Sequence, residues 1–203
     1  MTSKVYSDIS VSADGYLAGP GQTADKPFGD RPVDRLHAWM FDTPDENQAE
    51  VDRVVSAGAF VMGRNMFGPV RGHWDPSWRG WWGEDPPYHG PVFVLTHHPG
   101  DPLAMQGGTT FRFITDGIPP ALDQARPGAG AREVAIAGGA ATVTPCLAAG
   151  LIDELRTHIA PVTLGRVNAS STASRRCPGA PGRPGGVAHH PHQLPRPPLI
   201  PHT

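Results

Sequence analysis

Several residue types are scarce in this sequence, and each scarcity excludes a class of protein. The two cysteines, Cys146 and Cys177, are too few and too far apart for a disulfide framework or a zinc-binding pattern. No run of about 18 apolar residues is present, which predicts no membrane-spanning helix. The N-terminal segment lacks the apolar core of a secretory signal. The sequence therefore predicts a cytoplasmic protein in a reducing compartment.

Acidic and aromatic residues are absent from the C-terminal part of the chain. Residues 166–203 hold five Arg, four His and eight of the 24 Pro, but no Asp, Glu, Phe, Trp or Tyr. Residues 1–165 hold 12 Lys and Arg against 19 Asp and Glu, a net charge of −7. This balance argues against a nucleic-acid-binding surface. We expect a folded domain over 1–165 and a disordered tail over 166–203, because such a Pro- and Arg-rich segment buries little apolar surface.

Strand and helix patterns alternate along the first 165 residues. Strands are predicted over 4–12, 59–63, 91–97, 110–116, 133–138 and 151–165, and helices over 43–58, 64–68, 117–130 and 139–150. The helix over 43–58 has the strongest signal, with Thr43 as N-cap, Glu46 completing a capping box and Gly58 at the end. Pro127 is expected to break the helix over 117–130. Residues 17–32 and 70–90 read as long loops because they are rich in Gly and Pro.

This alternation predicts an α/β fold with a largely parallel sheet covered on both faces. Such sheets bind ligands at the carboxyl ends of their strands. Four predicted turns at those ends have unusual residues: Asp14-Gly15, Gly63-Arg64, Thr96-His97 and Gly138–Ala140. We expect the functional site there.

The stretch EVAIAGGAATV is the strongest local signal. Gly138 and Gly139 follow a buried strand and precede a helix, so the backbone can approach a ligand and the helix N-terminus can hold a phosphate. A plain strand-to-helix turn would also need glycine. Arg64 starts a second such turn and could bind a phosphate through its guanidinium group, although it could equally be a solvated surface arginine.

Other polar residues allow fewer conclusions. Asp14 could orient a substrate or supply a proton, or be an ordinary Asp-Gly turn residue. Adjacent His97 and His98 point to opposite faces of an extended segment, so we expect no metal site. The tryptophans at 74, 78, 81 and 82 are typical of a packed loop or a dimer surface.

Five long stretches together resemble a known family. ISVSADGYLAGP, AFVMGRNMFGPVRG, RGWWGEDPPYHGPVFVLTHHP, GGTTFRFITDGIPPALDQA and EVAIAGGAATVTPCLAAGLIDELRTHIAPVTLG are similar to the dihydrofolate-reductase-like family. The similarity is greatest to the branch related to the reductase domain of the bifunctional riboflavin-synthesis deaminase/reductase. It covers residues 4–165 and implies a three-layer NADPH-binding α/β fold with a mixed, mostly parallel sheet, often in a homodimer. The deaminase domain and its zinc motif are absent.

The resemblance also implies roles for individual residues. Cofactor-binding positions are Gly63, Arg64, Thr96, Gly138, Gly139, Ala140 and Thr142. Asp14 and Gly15 correspond to the turn that faces nicotinamide and substrate, with Asp14 as the candidate catalytic residue, and Trp81 and Trp82 are expected to close the substrate pocket. The implied activity is hydride transfer from NADPH to a pteridine-like or pyrimidine-like small molecule, as in dihydrofolate reductase or 5-amino-6-(5-phosphoribosylamino)uracil reductase.

The resemblance stops at Gly165, where the family continues with a G-x-R-L-F-D-G segment and two further strands. Permitted codons for residues 166–173, CGG GTG AAC GCC TCT TCG ACG GC, read Gly-Glu-Arg-Leu-Phe-Asp-Gly when translation starts at the third base. This coincidence predicts a frameshift near codon 165, with 166–203 translated out of frame and the C-terminal strands missing. A genuine disordered tail is the competing interpretation. A non-catalytic nucleotide-binding remnant is accordingly the alternative to an active reductase.

Overall fold

The computed structural model describes residues 3–30, 33–68, 75 and 77–165. Within these ranges the strands are β1 Val5–Ser12, β2 Ala59–Gly63, β3 Pro91–Leu95, β4 Leu103–Ala104, β5 Thr110–Ile114, β6 Val134–Ile136 and β7 Glu154–Ala160. The α-helices are α1 Ala38–Phe41, α2 Gln48–Val55, α3 Arg64–Phe67, α4 Ile118–Ala129 and α5 Ala140–Ala148. Short 3-10 helices span Val33–Leu36, Pro44–Asn47 and Gln106–Gly108.

The strands form one mixed, mostly parallel sheet, which confirms the predicted fold class. Their order is β4-β5-β3-β2-β6-β1-β7. Only the two-residue β4 among the described strands pairs antiparallel, with β5. The central strands β2 and β6 contain almost only apolar residues and are buried, as expected for parallel strands covered on both faces.

Apolar cores lie on both faces of the sheet. The sheet and the elements packed on its two faces therefore form three layers. On one face α4 and α5 pack on alternate strand residues, among them Val61, Phe93 and Ile136. On the other face lies an aromatic core with Tyr6, Phe60, Phe67, Phe111 and the partly buried Trp78 and Trp82. The Tyr6 hydroxyl donates to the Arg53 carbonyl over 2.8 Å, which fixes the end of α2 over this second face.

The predicted capping box at Thr43 is wrong. Residues 44–47 form a 3-10 turn, α2 begins only at Gln48, and Thr43 makes no side-chain cap. The carboxamide of Asn47 donates to the Thr43 carbonyl over 3.0 Å and to its hydroxyl over 3.2 Å. A Thr hydroxyl that accepts this hydrogen bond is less available to cap a helix, because local side-chain hydrogen bonds compete with capping.

The prediction that Pro127 breaks its helix is also wrong. Helix α4 continues through Pro127 to Ala129, since a proline in the last turn removes only one hydrogen bond and keeps a helical φ. The predicted loop over 17–32 is followed directly by the 3-10 helix Val33–Leu36 and by α1, neither of which the sequence pattern indicated. The two-residue β4 is too short to show a periodicity.

Strand β7 is the outermost strand on its side of the sheet and pairs with β1 along its whole length. Glu154, at its start, accepts a hydrogen bond from the Lys4 ammonium and another from Arg156, which together lower the pKa of the Glu154 carboxyl to about 2. No helix in the described part of the chain is long and apolar enough to cross a membrane. The predicted tail, the frameshift and the missing C-terminal strands concern residues 166–203, which lie outside the described residues.

Candidate functional site

Three adjacent strands bring the predicted cofactor turns together. Strands β3, β2 and β6 are neighbours and run parallel, so Thr96, Gly63 and Gly138 follow them at the same edge of the sheet. The Gly63 amide donates to the Gly138 carbonyl over 3.2 Å. One guanidinium nitrogen of Arg64 donates to the Thr96 hydroxyl over 3.4 Å. Residues far apart in sequence therefore form one continuous surface.

The turn between β6 and α5 is built for close approach. Gly138 has φ +101°, a conformation that L side chains rarely adopt, and Gly139 is the N-cap of α5. A Cβ at Gly139 would meet no atom within 4 Å, so the space beyond the N-terminus of the helix is open. Ala140 is exposed, and no described side chain caps the N-terminus of α5.

Thr142 lies beneath this turn rather than on its open side. It is 3% exposed, and a Cβ added at Gly63 would lie 2.6 Å from the Thr142 hydroxyl oxygen. Only glycine lets β2 pass so close to α5. Thr142 thus positions the turn through packing against β2.

The residues at this edge fit a dinucleotide phosphate. The first N–H groups of a helix lack intrahelical partners and carry the positive end of the helix dipole. They lack a side-chain cap here. Arg64 is the first residue of α3, which follows the neighbouring strand β2. An anion bound beside Gly139 would therefore meet backbone amides at the positive end of the helix dipole.

Asp14 follows β1, the strand between β6 and β7. Its carboxylate already accepts hydrogen bonds from other groups of the protein. One oxygen accepts from the Ser12 hydroxyl over 2.6 Å and from the Leu164 amide over 3.0 Å, and the other accepts from the Gly165 amide over 2.8 Å. The Ser12 hydrogen bond, followed by the two backbone amides, lowers the pKa of Asp14 below its ordinary value. The group is therefore ionised at neutral pH, and its contacts tie the turn that follows β1 to the segment after β7. Gly15, with φ +86°, faces open space.

Two tryptophans donate hydrogen bonds to two backbone carbonyl groups of the single-turn helix α3. The Trp81 indole donates to the Asn65 carbonyl over 3.0 Å, and the Trp78 indole donates to the Phe67 carbonyl over 2.8 Å. The Gly68 amide donates to the Arg64 carbonyl, and the two indole groups serve carbonyls nearer the end of this short helix, so together these bonds hold α3 in place. Trp82 packs against the aromatic core, with its ring 6.3 Å from Phe41. Trp81 thus contacts α3, and Trp82 contacts α1.

Sequence reasoning missed three residues of this site. Ser12 holds the Asp14 carboxylate, while Asn65 and Gln22 join α3 to the loop after β1 through a 3.1 Å hydrogen bond. Asn65 stands directly after Arg64, and this proximity was the one available signal. Gln22 had none, because its partner lies 43 positions away in the sequence.

One family model matches most of this chain. The profile of the RibD C-terminal domain matches residues 3–176. Among solved structures, the chain is similar to a candidate riboflavin biosynthesis protein from Shewanella sp. PV-4, with a TM-score of 0.52 and 24% sequence identity. That match covers 84% of this chain and 86% of the other and shows the fold alone. No curated protein sequence matches this chain.

Proposed function

Because the chain belongs to the RibD C-terminal domain family, we propose that it is an NADPH-dependent reductase of a pteridine-like or pyrimidine-like small molecule. The observation behind this proposal is the convergence of Gly63, Arg64, Thr96 and the uncapped α5 N-terminus at one edge of the sheet. Fold alone does not specify an activity. The site supports one, since these groups suit a dinucleotide phosphate.

In this proposal the open N-terminus of α5 binds the pyrophosphate, and Arg64 binds a further phosphate. Gly138 and Gly139 allow the backbone to approach closely, and Thr142 holds the turn through packing with Gly63. NADPH, when bound, supplies the hydride that reduces a C=N or C=O carbon of the substrate. The chain aligns donor and acceptor and excludes water between them.

The ionised carboxylate of Asp14 acts here as an orienting group rather than as the acid. Its lowered pKa and its three donors leave no proton to give at neutral pH. The proton that accompanies the hydride reaches the substrate nitrogen or oxygen from solvent. Asp14 holds the turn after β1 to the segment after β7, and Gly15 in that turn can face the reacting rings.

Titration of NADPH into the full chain, followed by its fluorescence, tests the cofactor part of the proposal. We expect Arg64→Met to weaken binding about tenfold or more, the usual effect of losing one charged hydrogen bond. The matched control is Arg132→Met, since Arg132 is an exposed arginine before the amino end of β6, away from the site. Equal affinity in all three proteins would contradict the assignment of Arg64.

A non-catalytic nucleotide-binding remnant is the second candidate function. The engagement of Asp14 with Leu164 and Gly165 favours it, because no described acid is left free at the end of β1. NADPH oxidation measured with a panel of pteridines and pyrimidines separates the two functions. Turnover of any member supports the reductase, whereas tight NADPH binding without turnover of the whole panel supports the remnant.

A further inference from the structure

One hydrogen bond between two carboxamides ties the β1 loop, defined here as residues 13–30, to α3. The Asn65 amide nitrogen donates to the Gln22 amide oxygen over 3.1 Å. The Gln22 nitrogen donates to the Pro27 carbonyl over 2.7 Å. Because both ends of the Gln22 carboxamide are engaged, its oxygen is held toward α3.

The β1 loop is braced internally, so this tie positions more than one residue. The Gly19 amide donates to the Phe28 carbonyl, and the Asp30 amide donates to the Pro20 carbonyl, both over 2.8 Å. These bonds fold the loop back on itself around its tip. Gln22 is the one side chain between residues 21 and 26 that is not exposed, and it holds the braced tip to the sheet edge.

The other end of the tie lies in the most constrained part of the candidate site. Asn65 follows Arg64, which contacts Thr96 on the neighbouring turn. The carbonyl of Asn65 accepts the Trp81 indole N–H over 3.0 Å. Asn65 is thus fixed through its backbone while its side chain reaches across to the loop.

We propose that Asn65 and Gln22 are positioning residues that couple the β1 loop to the cofactor turn. This inference rests on the proposed function, in which Arg64 binds a cofactor phosphate and the β1 loop begins at the turn facing the substrate. A ligand bound by Arg64 further stabilises the helical turn that contains Asn65, and the carboxamide pair transmits this stabilisation to the loop. NADPH occupancy thereby prepares the substrate side of the site.

Hydrogen exchange of the full chain, with and without NADPH, tests this coupling. The variants are Asn65→Asp, which keeps the shape but removes the donor, Gln22→Ala, and the double variant. We expect exchange in residues 17–30 to be roughly two- to tenfold faster in each single variant without NADPH. The double variant should exchange no faster than Gln22→Ala, because that single variant already loses the shared bond together with the Gln22 bond to Pro27. Gln48→Ala, at an exposed carboxamide bonded within α2, is the control.

A second arm separates coupling from simple structural support. In the wild type, NADPH should slow exchange in residues 17–30. In Gln22→Ala, which leaves the turn containing Arg64 unchanged, NADPH should still bind but leave the loop unaffected. Exchanging the pair, Gln22→Asn with Asn65→Gln, keeps both carboxamides and the total side-chain length and should restore part of the response. A purely structural role would not separate binding from loop protection in this way.

The outcomes distinguish this proposal from the proposed function. If NADPH binds the wild type but the loop does not respond, or if the two single effects add fully, the coupling is overturned and the cofactor assignment stands. If NADPH does not bind, the proposed function and the coupling both fail, while the exchange rates without NADPH still show whether the tie exists.

Discussion

An alanine at Gly63 should destabilise the protein by steric overlap alone. The backbone there, with φ −73° and ψ 158°, suits any residue. The added Cβ would lie 2.6 Å from the Thr142 hydroxyl oxygen, whereas ordinary contact begins at 3.4 Å. Thr142 is buried and β-branched, so its χ1 cannot rotate freely to make room. Overpacking of this kind costs about 1–3 kcal/mol of unfolding free energy.

A double-mutant cycle isolates this contact. Without the hydroxyl, the nearest Thr142 atom to the new methyl group is the Cβ at 3.8 Å, which is ordinary contact. Gly63→Ala combined with Thr142→Ala should therefore recover most of the stability that Gly63→Ala loses in the wild-type background. Denaturant unfolding of the four proteins measures the coupling, and each kcal/mol should shift the Tm by about 2–4 °C.

Two results would refute this reasoning. Gly63→Ala with wild-type stability would mean that β2 and α5 separate at no cost. The other result is full additivity, in which the double variant loses as much unfolding free energy as the two single variants together. It would mean that the methyl group meets something other than the Thr142 hydroxyl.

Three further predictions concern other parts of the chain. Trp81→Phe removes the indole donor to α3 and should lower the free energy of unfolding, measured with denaturant, by about 0.5–1.5 kcal/mol. An unchanged free energy would contradict a stabilising role for this bond. The folded-state pKa of Glu154 is lowered to about 2, first by its hydrogen bond to Lys4 and then by Arg156. Its contribution to stability is therefore present above pH 4.5 and is lost as the pH falls toward 2. Glu154→Gln should flatten the pH dependence of the unfolding free energy across that window, and an unchanged acid profile would contradict this. Resequencing across codons 160–180 should reveal a shifted frame, and a clean, reproducible frame would contradict the frameshift.

The sequence predicted the fold well because buried parallel strands have a strong signal. The apolar runs at Ala59–Gly63 and Val134–Ile136 became central strands with the expected neighbours. The capping box at Thr43 failed because a competing carboxamide, Asn47, could not be weighed against it from the pattern alone. Local signals decide an element's existence more reliably than its ends.

The candidate site was predictable in its turns and not in its connections. Glycine at a strand end and an arginine at the next turn mark a place where phosphate could bind, whichever residues surround it. The engagement of Asp14 depends on the amides of Leu164 and Gly165, about 150 positions later. The hydrogen bond from the Trp81 indole N–H to the Asn65 carbonyl likewise joins residues 16 positions apart, so no local pattern shows it.

The sequence by itself determined the α/β class, the family resemblance and the turns at which ligands can approach, because each depends on residues that are neighbours in the chain. Only the tertiary structure decided which polar groups those turns leave open: the N-terminus of α5 has no side-chain cap, while the carboxylate of Asp14 is occupied. The physical reason is that a side chain's hydrogen-bonding capacity is limited, and its partners come from strands and loops that meet only when the sheet has formed.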